Sequence, residues 1–248
     1  MKLVSCLWCF LAAPLWAEVK EESVRYADAD FRVVRLEPSL VQVAWKDAQG
    51  EPYRTFDKVQ AAYAKQGKTV KFLMNAGIFE AGGIPSGLHV EGGKQLHPLN
   101  IAAGQGNFFL KPNGVFLIRK AFGGKDVEQA YIHETGTFAN WEKPMPAVRL
   151  GIQSGPLLLD QGKRHPTFKE GSPNKKHRNG VGIDGEGRVV FAMTAKDQEV
   201  NFWDFAGLFL KLGCKDALFL DGDISQMAVN PDKPVGSNRF AAMLMVAE

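Results

Sequence analysis

Hydrophobic and polar positions along the chain follow two periods, and the local period predicts most of the elements. Phe31 to Leu36 and Leu40 to Trp45 carry apolar and β-branched residues at strand spacing on either side of Glu37-Pro38-Ser39, which predicts a hairpin opening the domain. From Thr55 to Gln66, Phe56, Val59 and Tyr63 recur at helical spacing with Gly67 behind them, and a buried strand follows from Thr69 to Met74. Leu88 to Glu91 is a strand turning at Gly92-Gly93. Asn107 to Leu110 and Val115 to Ile118 flank Pro112-Asn113-Gly114, a predicted hairpin with Asn-Gly at its turn. Lys125 to Glu134 reads as a helix that continues through Phe138 to Trp141 until Pro144 and Pro146 interrupt it.

The second half is patterned more sharply. Val148 to Gln153 is a strand broken by Ser154-Gly155-Pro156 and resumed at Leu157 to Leu159; a proline cannot donate to a central ladder, so a bulge or kink is expected there. Val181 to Ile183 and Val189 to Thr194 form a hairpin across Asp184-Gly185-Glu186-Gly187. Phe202, Phe205, Leu208, Phe209 and Leu212 recur at three and four residues, predicting a helix from Asn201 to Leu212 that Gly213 stops. Strands outnumber helices and come mostly as hairpins. The expected fold is α+β, a single domain with a mixed, largely antiparallel sheet and packed helices.

Two stretches carry candidate chemistry. Ala217 to Leu220 is a short apolar run ending abruptly at Asp221-Gly222-Asp223, which puts two carboxylates at the end of a buried strand, where ligand crevices form; the plainer reading is an ordinary Asp-Gly turn. Asn75-Ala76-Gly77 opens a glycine-rich connection that runs through Gly82-Gly83 to Gly87. Such a loop brings backbone amides close to a ligand, or is simply a turn rich in glycine. It lacks the Gly-Lys-Ser/Thr ending of a phosphate-cradling P-loop.

Composition narrows the class. The 248 residues are 45% hydrophobic and 23% charged, enough for a large core, and 30 basic against 27 acidic residues leave +3 with no basic block, so no nucleic-acid partner is expected. The first seventeen residues differ from the rest: Lys2, an apolar stretch from Leu3 to Leu15, and a small residue at Ala17. They read as a secretory signal over residues 1–17, leaving a mature domain of residues 18–248 and an exported protein of the bacterial periplasm or exterior. Cys6 and Cys9 leave with it and Cys214 remains alone, so the mature chain forms no internal disulfide. No later stretch is long and apolar enough to span a membrane.

Taken in order, Asn75-Ala76-Gly77-Ile78-Phe79, Gly87-Leu88 with the Glu91-Gly92-Gly93 turn, Gln153-Ser154-Gly155-Pro156-Leu157-Leu158, Arg178 with Gly180-Val181-Gly182-Ile183-Asp184, and Leu220-Asp221-Gly222-Asp223-Ile224-Ser225 resemble the phosphodiester glycosidase family, that of the mannose 6-phosphate uncovering enzyme. The resemblance runs from about Val70 to Val229. It implies hydrolysis of a sugar joined through its anomeric carbon to a phosphodiester, with release of the sugar and a phosphomonoester, on an envelope glycan or glycolipid. It points to Asn75, Gly77, Ser154, Gly155, Pro156, Arg178, Asp221, Gly222 and Ser225. Where many relatives carry a run of glycines after the Asp-Gly, this chain has Asp223 and Ile224, which gives the pocket near Ser225 its own shape or charge.

Those residue types suit that chemistry. Cleavage at an anomeric carbon builds positive charge on the sugar, which a carboxylate such as Asp221 stabilises by attack or by activating water; the leaving phosphomonoester needs a cation, and the Arg178 guanidinium can grip phosphate with two parallel hydrogen bonds. Arg178 could instead anchor its loop, and Lys175, Lys176 and His177 either add positive potential or form a solvated stretch. Ser154 lacks a nucleophile elbow, so orienting substrate or capping backbone suits it better. The histidines show no ligand spacing. One rival reading takes Asp221 and Asp223 as the Asp-x-Asp of a nucleotide-sugar transferase, holding a divalent cation between two close carboxylates. The other rival is a glycan-binding protein without catalysis, using Phe79, Trp141 and Trp203, although Trp203 and Phe205 fit a core helix pattern. Sugar, aglycone and oligomeric state are left open.

Overall fold

The structure is a computed structural model and describes residues 18–121, 127–140 and 147–248. Residues 1–17, expected from the sequence to be a secretory signal, and Lys125, Asp126, Trp141, Pro144 and Pro146 lie outside the described residues.

The chain is α+β, and every ladder between the described strands is antiparallel. One sheet runs, edge to edge, Glu21–Tyr26, Ala29–Leu36, Val189–Thr194, Asn179–Ile183, Asp216–Phe219, Leu157–Asp160 and Lys163–Arg164. A second runs Glu128–Glu134, Gly114–Lys120, Val148–Ser154, His89–Glu91 and Lys94–His97, and a third Met227–Val229, Val70–Asn75, Met243–Ala247 and Gln42–Ala44. Phe72 and Leu244 of the third sheet, Phe116 and Ile152 of the second, and Phe191 and Leu218 of the first meet in one buried cluster. Helix Phe202–Lys211 covers the opposite face of the first sheet, packing Phe205 and Phe209 on Phe31, Val33, Ala217 and Phe219. Both faces of the sheet are therefore buried, which is why Ala217 to Leu220 is apolar without alternation.

Several expectations are corrected. Phe31 to Leu36 and Leu40 to Trp45 do not pair: the first belongs to strand Ala29–Leu36 in the first sheet, and Gln42–Ala44 pairs with Met243–Ala247 in the third. The opening hairpin is Glu21–Tyr26 with Ala29–Leu36, turned by Ala27 and Asp28 at φ 47° and 61°, a left-handed turn built without glycine and so invisible to a glycine signal. Asn113-Gly114 is not a hairpin turn. Asn107–Phe109 is a single helical turn, and the buried Asn113 amide donates to the Phe108 carbonyl at 2.7 Å, fastening the loop on itself before strand Gly114–Lys120. Glu128–Glu134 is a strand, not a helix, with Ala130 and Ile132 inward at period two; the helix starts only at Thr135 and ends at Ala139, capped by Glu134 accepting from Thr137 N at 2.6 Å.

Other elements form where the pattern put them. Helix Phe56–Ala64 precedes Gly67 at φ 74°, strand Val70–Asn75 follows, and Asn201 caps helix Phe202–Lys211 by accepting from Asp204 N at 2.9 Å. The break at Ser154-Gly155-Pro156 moves the chain from the second sheet into the first, so one continuous segment joins two layers.

Candidate active site

Three strand ends meet beneath the Asp221 turn. Leu220 N donates to the Asn179 carbonyl at 3.2 Å, and the Asn179 side chain accepts from Asp221 N at 2.8 Å while its amide donates to Asn75 Oδ1 at 3.1 Å. Asn75 Oδ1 also accepts from Gln226 N at 2.9 Å. Asn75 and Asn179 are almost wholly buried, so this pair of amides sets both ends of the turn Asp221 to Gln226. Ser154, with no exposed surface, donates from Oγ to the Leu220 carbonyl at 2.6 Å and accepts from Ile78 N at 3.3 Å, tying the glycine loop to the end of the Asp221 strand. Ser225 donates its hydroxyl to the Asp221 and Gly222 carbonyls and closes the turn from within.

At the site, close approach requires glycine at both Gly77 and Gly155. A Cβ on Gly77 would lie 2.9 Å from the Gln153 carbonyl oxygen, and one on Gly155 would lie 2.6 Å from Asn113 Cβ. Gly155 thus lets the sheet-to-sheet kink pack against the loop that carries Asn107.

Above the turn is a cavity of about 380 Å³ lined by Asn107, Asn174, Lys176, Arg178, Phe202, Asp221, Gly222, Asp223 and Ile224. Of the residues singled out in the sequence, the structure brings Asp221, Gly222, Asp223, Arg178 and Lys176 to this cavity. Asn75, Gly77, Ser154, Gly155 and Ser225 stand behind or beside it as packing and hydrogen-bonding partners of its walls. Burial pushes the Asp221 carboxyl up from 3.8 to about 6, the like charge of Asp223 adds to the rise, and a bond from Gly222 N at 2.9 Å opposes it. Arg178 is buried: its Nε donates to the Val200 carbonyl at 2.7 Å, Nη2 to the Asn174 carbonyl at 3.1 Å, and the guanidinium carbon sits 3.7 Å from the Phe202 ring centroid. Burial lowers it to about 10, with Asp223 and Glu199 pulling the other way, so it is a cation at neutral pH. Lys176 and Asp223 form an exposed ion pair at 3.4 Å.

Asn107, Asn174, Asn179 and Phe202 were missed by sequence reasoning. Asn179 directly follows Arg178 and precedes an apolar strand, a faint signal; the others gave none, since Phe202 reads as part of the core helix. Phe202 and Trp203 also line an adjoining lobe of about 230 Å³ with Phe168, Thr167, Asn107 and Asn174. Phe205 is core as expected, whereas Trp203 is only half-buried and forms a wall. A larger cavity, about 490 Å³, lies past Ser225 and His177 and contains neither Asp221 nor Arg178. The smaller one holds the carboxylate of raised pKa and the two cations, and is the better candidate on chemical grounds. Among the described residues no three His, Cys, Asp or Glu side chains cluster to hold a metal ion, and no helix is long and apolar enough to cross a membrane.

The sequence pattern of phosphodiester glycosidases matches residues 68–246. A protein of Escherichia coli, uncharacterized protein YigE, is 36% identical over 195 residues, 78% of this chain and 71% of that one. The chain belongs to the phosphodiester glycosidase family. Its fold is similar to the catalytic domain of zebrafish N-acetylglucosamine-1-phosphodiester alpha-N-acetylglucosaminidase auto-inhibited by pro-peptide, at TM-score 0.63 and 15% identity over 96% of this chain and 85% of that one. A putative exported protein from Burkholderia pseudomallei is similar at TM-score 0.55 and 12% identity, covering 88% and 74% of the two chains. By family the protein is a hydrolase of glycosidase type.

Proposed function

We propose that this member hydrolyses a sugar-1-phosphodiester at the anomeric bond, releasing the sugar and a phosphomonoester, on an envelope glycan or glycolipid after export. The observation that carries the proposal is the Asp221 carboxyl, raised to about 6 in a cavity that also holds Arg178 and Lys176. Ionised Asp221 faces the anomeric carbon and either attacks it or takes a proton from the attacking water. The bond from that carbon to oxygen breaks, its electron pair leaves on the phosphate, and water supplies the new hydroxyl. The departing phosphomonoester is a good leaving group when cations offset its charge, which Arg178 and Lys176 supply.

The test is release of sugar and phosphomonoester from a panel of sugar-1-phosphodiesters by wild type and Asp221→Asn, each with and without chelator. Release by wild type, lost in the variant, supports the proposal. Tight glycan binding with no product from any substrate would turn the reading to a binding protein, and turnover abolished by chelator would bring a divalent cation into the mechanism.

A further inference from the structure

The two cations of the cavity differ in freedom. Arg178 is a fixed charge: two of its N–H groups are bound by main-chain carbonyls and its plane is pressed on Phe202. Lys176 is a movable one. Its backbone is pinned by an antiparallel bridge to Val200, but its side chain is 51% exposed and its ammonium meets the Asp223 carboxylate, itself 64% exposed, at 3.4 Å. Both line the cavity, one from the segment before Arg178 and one from the turn after Asp221, so their ion pair joins two separate segments of its lining.

An exposed ion pair of this kind is worth at most about fivefold in an equilibrium constant. A phosphate oxyanion entering the cavity can therefore displace it, the more so once the charge rises from the single negative charge of a diester to the roughly −1.5 to −2 of a phosphomonoester. Asp223 has the opposite effect on the oxyanion, because it competes for the same ammonium.

The geometry points to Lys176 as the exchangeable phosphate-binding residue of the site and to Asp223 as its resident competitor. Lys176 leaves Asp223 for the phosphate when substrate binds, and Asp223 draws it back as the phosphomonoester departs. The ligand class is a phosphate oxyanion, and the inference rests on the hydrolase reading only for the source of that oxyanion, the substrate's own ester group.

Titration of inorganic phosphate into the full chain by calorimetry tests this without requiring turnover. Asp223→Asn is expected to bind phosphate about two- to fivefold more tightly than wild type, and Lys176→Gln roughly tenfold more weakly, with Lys176→Arg recovering most of the loss. The double variant Lys176→Gln with Asp223→Asn is expected to match Lys176→Gln, because Asp223 acts through the lysine. Lys175→Gln, an exposed neighbour outside the cavity, is the charge control and leaves binding as in wild type. In turnover assays phosphate inhibition follows the same order, with KM moving more than kcat.

Unchanged phosphate affinity in Asp223→Asn would overturn the inference, and so would an equal gain in the Lys176→Gln background, which would mean plain repulsion between Asp223 and phosphate. Coupled phosphate binding with no sugar released from any diester would leave the inference standing and remove the hydrolase reading. Turnover without that coupling would do the reverse.

Discussion

At neutral pH the Asp221 carboxylate is charged in a place that penalises charge, and this ties the proposed activity to stability. Its folded-state value of about 6 lies above the ordinary 3.8, so the folded protein holds this proton more tightly than the unfolded chain. The resulting stability is present below about pH 4 and is lost as pH rises through 6, about 3 kcal/mol in all. Asp221→Asn keeps the acceptor for Gly222 N and removes the charge. Its melting temperature is expected to match wild type near pH 4 and to exceed it by roughly 5–10 °C at pH 7.5, while turnover falls by about a thousandfold or more. A variant no more stable than wild type at pH 7.5 would mean that the carboxylate is well solvated. Because the ionised form is the working one, kcat/KM is expected to rise about tenfold per pH unit below 6 and then level; a profile falling above pH 6 would make Asp221 the acid instead.

Ser154 is the contrasting case at the same scale. Its hydroxyl is spent on the Leu220 carbonyl and the Ile78 amide, so Ser154→Ala is expected to cost about 1–3 kcal/mol in denaturant unfolding and to leave turnover measurable. Complete loss of turnover at unchanged stability would assign the hydroxyl to the chemistry. The sequence already argued against a nucleophile at Ser154 from its setting. The acceptor it serves could not be read there, since Leu220 lies far along the chain.

Among elements, the kink at Ser154-Gly155-Pro156 does most to build the cavity wall. Gly155→Ala puts a methyl group 2.6 Å from Asn113 Cβ and 3.0 Å from the Phe108 carbonyl oxygen, and so must push the loop carrying Asn107 outward. About 1–3 kcal/mol of destabilisation and a raised KM are expected together; an unchanged KM would show that Asn107 does not contribute to substrate binding. Local pattern made this element legible, because proline and glycine interrupt an apolar run in few ways. It failed at Glu128–Glu134, where polar residues on the outward face hid a period of two, and at Asn113-Gly114, where the turn signal was right for a hairpin but Asn113 was needed inside the loop.

For the whole molecule, one buried cluster takes side chains from all three large sheets. We expect a single cooperative thermal transition, coincident in near- and far-ultraviolet circular dichroism, from a chain of residues 18–248; two separated transitions would divide it into units. Amino-terminal sequencing of protein from an envelope fraction is expected to begin at Glu18, and a chain still starting at Met1 would end the export reading.

The sequence by itself determined the helix Phe202–Lys211, the buried strand before Asp221, the break at Ser154 and the order of motifs that marks the family. Each is written within a dozen residues, as a period, a stop or a contiguous string. Tertiary structure alone decided which strands pair and which amides meet beneath the turn. It also decided how far Asp221 is desolvated, which N–H groups Arg178 keeps free, and that Lys176 reaches Asp223. A period of two says that a strand has two faces without naming its neighbour, and burial or charge contact depends on residues that only the packed sheets bring together.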